Sequence, residues 1–493
     1  MNRDFCFGFT SPDDRLPFGK SGYAYILNHP PPRHQPPFFS LTKVTLTHVA
    51  FESCQQFTAD PLSTRQQPTE TTIPPVNLKS KLQQKLKVAQ VLGIKRVLLL
   101  PFALLYVGML LLLSRILQVR IHPIVNSRIG HFATNTELTL LKIRETRKNS
   151  KTKTLEIGCA TSVVSVNSEL ERMWKRELKF STGDWGWLIN DICKRVQNRG
   201  FYQESTANDK EGRLISFPPA LEFTTEQELI GRKFLKNVDV IDENKIVCLN
   251  VRDNAFLSQS EALEWSKTRD WSYHDYRDSE ISTYVAAAES LAEMGYTVFR
   301  MGAIVKEPLD SRHPRIIDYA TNGMRTEFLD IYLGAKCKFC VSTGTGWDSI
   351  PQIFRRPSMY VNLLPHFAKE CLVRDLLIFP KSLAMTKEEF DIPLKHLFEL
   401  GFATSFYTDL FTQAGVVIRD LSSEELVEAV TEMAQRVEGT FVETLEQKEM
   451  QAKLKHILST HPKLQPSPNY YPIRAQFASC FLSRYPNFLD GLD

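Results

Sequence analysis

The chain carries little excess charge of either sign: 60 Lys and Arg against 56 Asp and Glu leave +4 over 493 residues. No basic block alternates with aromatics, so the pattern a single-strand groove needs is missing and no nucleic-acid partner is expected. No Asn-x-Ser/Thr acceptor occurs, which disfavours passage through a glycosylating lumen. The nine cysteines are odd in number and follow no repeated spacing, which points to free thiols in a reducing compartment. Cys337 and Cys340 have zinc-like spacing, yet both fall on an expected strand, where side chains alternate between faces. No second Cys or His pair completes them, so no metal site is expected.

The length allows two or three domains with substantial cores, and the apolar, aromatic and charged fractions are those of a soluble globular protein. Residues 1–75 stand apart. They hold Pro30-Pro31-Pro32, Pro36-Pro37 and Pro74-Pro75 without any sustained period, a composition expected to remain disordered. They also lack the charged, apolar and small-residue order of a cleaved signal peptide.

One long uncharged apolar run comes next, VLLLPFALLYVGMLLLL at 97–113. It sits at the short end of a spanning helix and contains Pro101 and Gly108. Lys79, Lys81, Lys85, Lys87, Lys95 and Arg96 approach it, and Arg115 and Arg120 leave it. Charge on both flanks favours a helix lying in, or dipping into, a membrane surface over one that crosses. A buried core helix is the other reading. Residues 76–120 are therefore expected to be a membrane-associating segment.

From 121 to 235 the pattern is mixed. Asn167–Leu178 reads as an amphipathic helix with Trp174 in the core, Ser181–Trp187 as a Gly- and Trp-rich loop, and 203–235 as a connection. From 236 to 460 strands alternate with helices: 245–251, 296–301, 316–319, 337–341, 358–362 and 415–418 read as strands. That alternation implies a parallel sheet with right-handed crossovers, whose ligand lies beyond the carboxyl ends of the strands.

The chemistry-bearing residues gather at those ends. Arg252-Asp253 leaves one strand, Arg300-Met301-Gly302 a second, and Ser342-Thr343-Gly344-Thr345-Gly346 a third, with Asp318 on a short strand nearby. Guanidinium groups beside a hydroxyl and glycine turn that opens a helix suit a diphosphate. Structural pairing of Arg252 and Arg300 with Asp253, Asp318 or Asp330 is the plain alternative. The turn matches neither the dinucleotide fingerprint nor a Walker loop, which leaves a sugar-nucleotide epimerase without support. No Asp-x-Asp pair is present to hold a diphosphate through a divalent ion. The loop WSYHDYRD (271–278) supplies His274 and Asp275 as proton acceptors, and RIGH (128–131) supplies His131; a structural role is at least as common for the loop pair and the commoner one for His131.

The stretches RIGHFATNTE, NSELERMWKREL, VCLNVRD, HDYRDS, GYTVFRMG, IIDYA, FLDIYLGAKCKFCVSTGTG and FRRPSMYVNLLP together resemble a glycosyltransferase family of bacterial surface-polysaccharide gene clusters. The resemblance runs from about residue 85 onward. It implies an α/β fold of two Rossmann-like domains in a GT-B arrangement, distantly like O-fucosyltransferases. In those an arginine of a His-x-Arg motif contacts the donor diphosphate. Arg252 corresponds, with Asn250 where the histidine would stand. The resemblance further implies an acceptor-side domain at 121–235, a nucleotide-sugar domain at 236–460, and a tail at 461–493 in which Phe477–Tyr485 returns to the first domain.

The expected activity is metal- and cofactor-independent transfer of a sugar from a nucleotide diphosphate to a glycan or lipid-linked acceptor, at the cytoplasmic face of a membrane. Arg252, Asp253, Arg300, Gly302, Asp318 and 342–346 would hold the donor, with His131, His274 or Asp275 as base. A non-catalytic scaffold with a degenerate nucleotide fold is the alternative, favoured by Asn250.

Overall fold

The structure is a computed structural model that describes residues 78–149, 152–196, 200–256, 272–364, 376–385, 392–402, 408–462 and 475–492. The Pro-rich stretch 1–75 and Trp271 lie outside the described residues. Of the two units into which the chain divides, the second, Thr72–Asp493, holds everything described.

The apolar run is helical, as its composition dictates. Helix α1 spans Leu78–Leu113, broken at Gly93 (φ 57°, ψ 142°) and carrying Pro101. It leads into a three-stranded parallel sheet of β1 (Gln118–Ile124), β2 (Thr154–Ala160) and β3 (Phe180–Ser181), in that order. Between these strands run α2 (Ile129–Asn149) and α3 (Ser168–Glu177), and α4 (Gly183–Arg195) comes after β3. The Asn167 side chain accepts from Leu170 N–H and caps α3, whose Leu170, Met173 and Trp174 are buried. Trp174 is a core residue whose indole N–H donates to the Phe132 carbonyl. The Gly- and Trp-rich stretch is no loop: from Gly183 on it is the first turn of α4. Residues 203–235 likewise contain helical turns, including most of a helix at Thr225–Asn237.

The second sheet contains β4 (Ile246–Asn250), β5 (Thr297–Arg300), β6 (Ile316–Ile317), β7 (Phe339–Ser342), β8 (Ser358–Leu363) and β9 (Leu376–Pro380). A separate antiparallel pair joins β10 (Ser382–Met385) to β11 (Val416–Arg419), so the strand expected at 415–418 does not extend the parallel sheet. A last short strand, β12 (Gln476–Phe477), brings the large sheet to seven in the order β12-β9-β8-β7-β4-β5-β6, parallel throughout. Every residue of β4, β7 and β8 is buried, as central strands covered on both faces require.

The tail departs from expectation. Phe477 and Phe481 pack against the core of the large sheet, where Phe481 meets Phe379 of β9 with ring centroids 5.3 Å apart. Its attraction is the open edge of β9, whose backbone groups need partners. Ser479 and Cys480 N–H groups also donate to Glu432, on the helix Ser423–Glu438.

Cys337 departs too: it ends the helix Glu327–Lys336 and precedes β7. Cys337, Cys340 and Cys248 share one apolar cluster, so the two cysteines do not face opposite ways. Burial pushes the Cys248 and Cys340 thiols up. Among the described residues no group of three His, Cys, Asp or Glu is placed to hold a metal ion.

The two sheets are not isolated layers. One apolar cluster contains Ile124, Phe132 and Trp174 from the first and Ile331, Ile350 and Ile353 from the second.

Candidate functional site

Sheet order locates the crevice. The chain runs from β4 outward through β5 and β6, then returns to β7 on the other side of β4 and continues through β8 and β9. The reversal falls between β4 and β7, the place where open parallel sheets bind ligands. Asn250 and Ser342 are partners in register, so the segments leaving the two strands emerge side by side.

The two exits are joined by hydrogen bonds. Arg252 N–H donates to Thr343 Oγ1 at 2.8 Å, and Thr343 N–H donates to the Asn250 carbonyl at 3.2 Å. The Asn250 side-chain amide donates to Thr345 Oγ1. Gly344 turns the chain at φ 77°, a left-handed conformation that favours glycine. Arg252, Asp253 and the 342–346 turn are thus brought together, as the sequence suggests.

One guanidinium group meets this turn and a second lies near the first. Arg252 Nε donates to Asp278 Oδ1 at 2.9 Å, and Arg277 Nη2 donates to the Gly344 carbonyl. Arg277 is the residue that the site reading passes over, although it lies in the polar loop 271–278 and in the HDYRDS stretch. Buried Lys381 donates from Nζ to the Asp278 carbonyl at 2.9 Å and to Asp420 at 2.6 Å, which fixes the loop from behind. Burial and the neighbouring Arg277 charge hold Arg252 below its ordinary pKa, against the pull of Asp278. Burial raises the Asp278 carboxyl; Arg252 opposes the rise, and Asp275 and Asp253 add to it.

Other expected residues take structural parts. Arg300 is fully buried, with Nη1 on Asp318 at 3.4 Å and Nη2 on the Glu307 carbonyl at 3.0 Å. Asp318 also accepts from Leu309 N–H and Thr321 Oγ1. This is the plain ion-pair reading: the Arg300 guanidinium turns into the loop after β5 because a buried charge needs its partner. Gly302 lies on that loop, where a Cβ would meet Val305 Cγ1 at 2.4 Å. Asp253 ties the same loop to the site by accepting from Lys306 N–H at 2.8 Å.

The turn also lacks the helix expected to charge it. The next helix, Ser349–Ile353, is a single turn, too short for a useful dipole. Asp348 already occupies two of the turn's donors, accepting from Ser342 Oγ at 3.0 Å and Thr345 N–H at 2.8 Å. With these two donors taken and no long helix behind the turn, the nearby guanidinium groups carry the positive charge a ligand anion would meet.

The far wall comes from α2. A Cβ on Gly130 would lie 3.0 Å from both Cα and carbonyl O of Gly346, so these backbones touch. His131, the next residue, is exposed, with Nδ1 3.3 Å from Asn135 Oδ1. Desolvation and Arg128 hold its imidazole below the usual value, and the Asn135 contact opposes them. Asp275 is exposed on the 3-10 turn Ser272–Arg277, and the His274 side chain lies outside the described residues.

No known family model matches the chain, and no curated protein does. Among solved structures, E. coli ADP-heptose lps heptosyltransferase II aligns with 65% of this chain and 99% of its own, at 13% identity and a TM-score of 0.38. The glycosyl transferase family 9 structure from Veillonella parvula DSM 2008 aligns with 65% of this chain and 97% of its own, at 9% identity and a TM-score of 0.30. Likeness at this level carries no inference about chemistry, which rests on the geometry above.

Proposed function

We propose that the chain is a glycosyltransferase that binds a nucleotide-diphosphate sugar at the β4/β7 crevice, with Arg252 and Arg277 gripping the diphosphate. The observation that carries this reading is the meeting of Arg252, Arg277 and the 342–346 turn at the reversal of a parallel sheet. Guanidinium forks match phosphate oxygens, and charge neutralisation of a departing diphosphate supplies much of such a reaction's rate. Asp278 holds Arg252 through Nε; the donor phosphate takes the carboxylate's place.

The acceptor, a glycan or lipid-linked hydroxyl, approaches from the α2 wall in a GT-B-like arrangement. His131 is the base. A lowered pKa keeps its imidazole neutral, hence able to take the hydroxyl proton, further into the acid range than an ordinary histidine. The neutralising role falls to the arginines, without a metal or cofactor, at the cytoplasmic face of a membrane. The sugar is a hexose or deoxyhexose.

Arg252→Ala should lower transfer and donor hydrolysis by about 100-fold or more, with partial recovery in Arg252→Lys. Wild-type rates in both assays would reject the assignment. The acid limb of the pH–rate profile should lie below 6.5, the ordinary histidine value, and vanish in His131→Ala.

A non-catalytic scaffold is the second reading. It is favoured by Asn250 bracing Thr345 and by Asp348 filling two of the turn's donors. Calorimetry with GDP and UDP separates the two, because a scaffold binds neither.

A further inference from the structure

Helix α1 buries one side and leaves the other bare. Ala103, Val107 and Leu110 are buried, the last two in a cluster with Ile121, Cys159 and Ile189 of the small sheet and α4. The opposite side displays Leu98, Phe102, Leu105, Met109 and Leu112, and Ile116 continues the spacing in the turn just past the helix end; all six are 54–90% exposed, spaced alternately by four and three. A contiguous apolar surface of this kind marks a binding face.

Its width and charge decide what covers it. A coiled-coil seam is narrow and edged by charged residues. Here Val97 and Leu104 are exposed beside the stripe, and no charged residue occurs from 97 to 114. The surface is thus broader than a seam and apolar to its margins. Just before it the charge is of one sign. Leu78–Leu113 carries Lys79, Lys81, Lys85, Lys87, Lys95 and Arg96 and no acidic residue, and the Lys95 side chain is 78% exposed. Cations flanking an apolar face complement anionic headgroups above acyl chains.

Crossing is disfavoured, although Lys95–Leu113 is long and apolar enough for it. Arg96 Nε donates to Asp184 of α4 at 2.5 Å, and the guanidinium lies 4.9 Å from the Trp187 ring centroid. A helix clamped along one side to charged α4 is not surrounded by hydrocarbon. We propose that α1 docks in the plane of an anionic bilayer, with the Leu98–Ile116 stripe at the headgroup–acyl boundary. Lys95 lies among the headgroups. This inference goes beyond the nucleotide reading and stands without it.

The full chain is mixed with phosphatidylcholine vesicles containing or lacking phosphatidylglycerol and sedimented. It should pellet with the anionic vesicles, less so at raised salt. Leu105→Glu/Met109→Glu should weaken pelleting about tenfold or more while the thermal midpoint and GDP binding stay unchanged. In the unmutated chain, brominated lipid should quench tryptophan fluorescence, through Trp185 and Trp187 beside α1. No pelleting with anionic vesicles, no quenching, or a folded double variant that binds as wild type would overturn the proposal. Loss of a dimer in ultracentrifugation without any vesicle binding would overturn it in favour of a second copy of this chain.

Discussion

At the scale of single residues, the direction of an effect is set by what an atom meets. Gly231 sits inside the helix Thr225–Asn237, where replacing glycine by alanine ordinarily stabilises by about 0.5–1 kcal/mol. Here a Cβ would fall 2.1 Å from Cζ of buried Tyr332. Gly231→Ala should therefore lower the urea midpoint, by about 1–3 kcal/mol of stability. Asp330 provides a pH test. Burial pushes its carboxyl from 3.8 to about 6, although Arg325 at 2.6 Å and Tyr319 oppose the rise. A raised folded pKa favours folding below the unfolded value and loses that contribution as pH climbs through the folded one. Stability should thus fall between about pH 4 and pH 6, and Asp330→Asn should remove that slope. Asp278→Asn tests the diphosphate reading from the opposite side. Without the carboxylate that now holds Arg252, GDP or UDP should bind more tightly in calorimetry.

At the scale of elements, the turn after β7 was legible where it depended on local chemistry. A strand ending in Ser-Thr-Gly-Thr-Gly is readable as a rim feature, and Arg252 as its neighbour is implied by parallel topology. The part that failed depended on distance in space. Nothing local decides between phosphate and Asp318 as the partner of Arg300, or tells that Asp348 takes two of the turn's donors. Arg277 was hidden for the same reason, since a polar loop shows its one site-facing side chain only after folding. Strands β9 and β10 escaped because each gains its place from pairing with a distant strand, β8 or β11. The Gly- and Trp-rich stretch acquires a purpose only when α1 lies against it, with Tyr106 and Trp185 ring centroids 5.8 Å apart. The contact between α2 and the turn offers its own test. Gly130→Ala should push α2 from Gly346, weakening the proposed sugar transfer more than it lowers the thermal midpoint.

At the scale of the whole molecule, the shared cluster from Ile124 to Ile353 makes the two sheets one folding body. Arg355 reinforces it by donating to buried Glu137 of α2 at 2.7 Å. Removing one partner of such a pair leaves a buried charge, so Arg355→Ala should cost about 3 kcal/mol or more. Far-ultraviolet dichroism and tryptophan fluorescence should nevertheless report one coincident transition in both proteins. The short strand β12 has a different consequence, one of timing. Until residues 476 and 477 leave the ribosome, the growing chain carries β9 paired with β8 on one side and open on the other, throughout the synthesis of residues 381–475. An uncovered strand invites pairing with neighbouring nascent chains. Production of this protein should therefore depend on chaperone supply, and a stop codon placed just ahead of Gln476 should send the product into inclusion bodies.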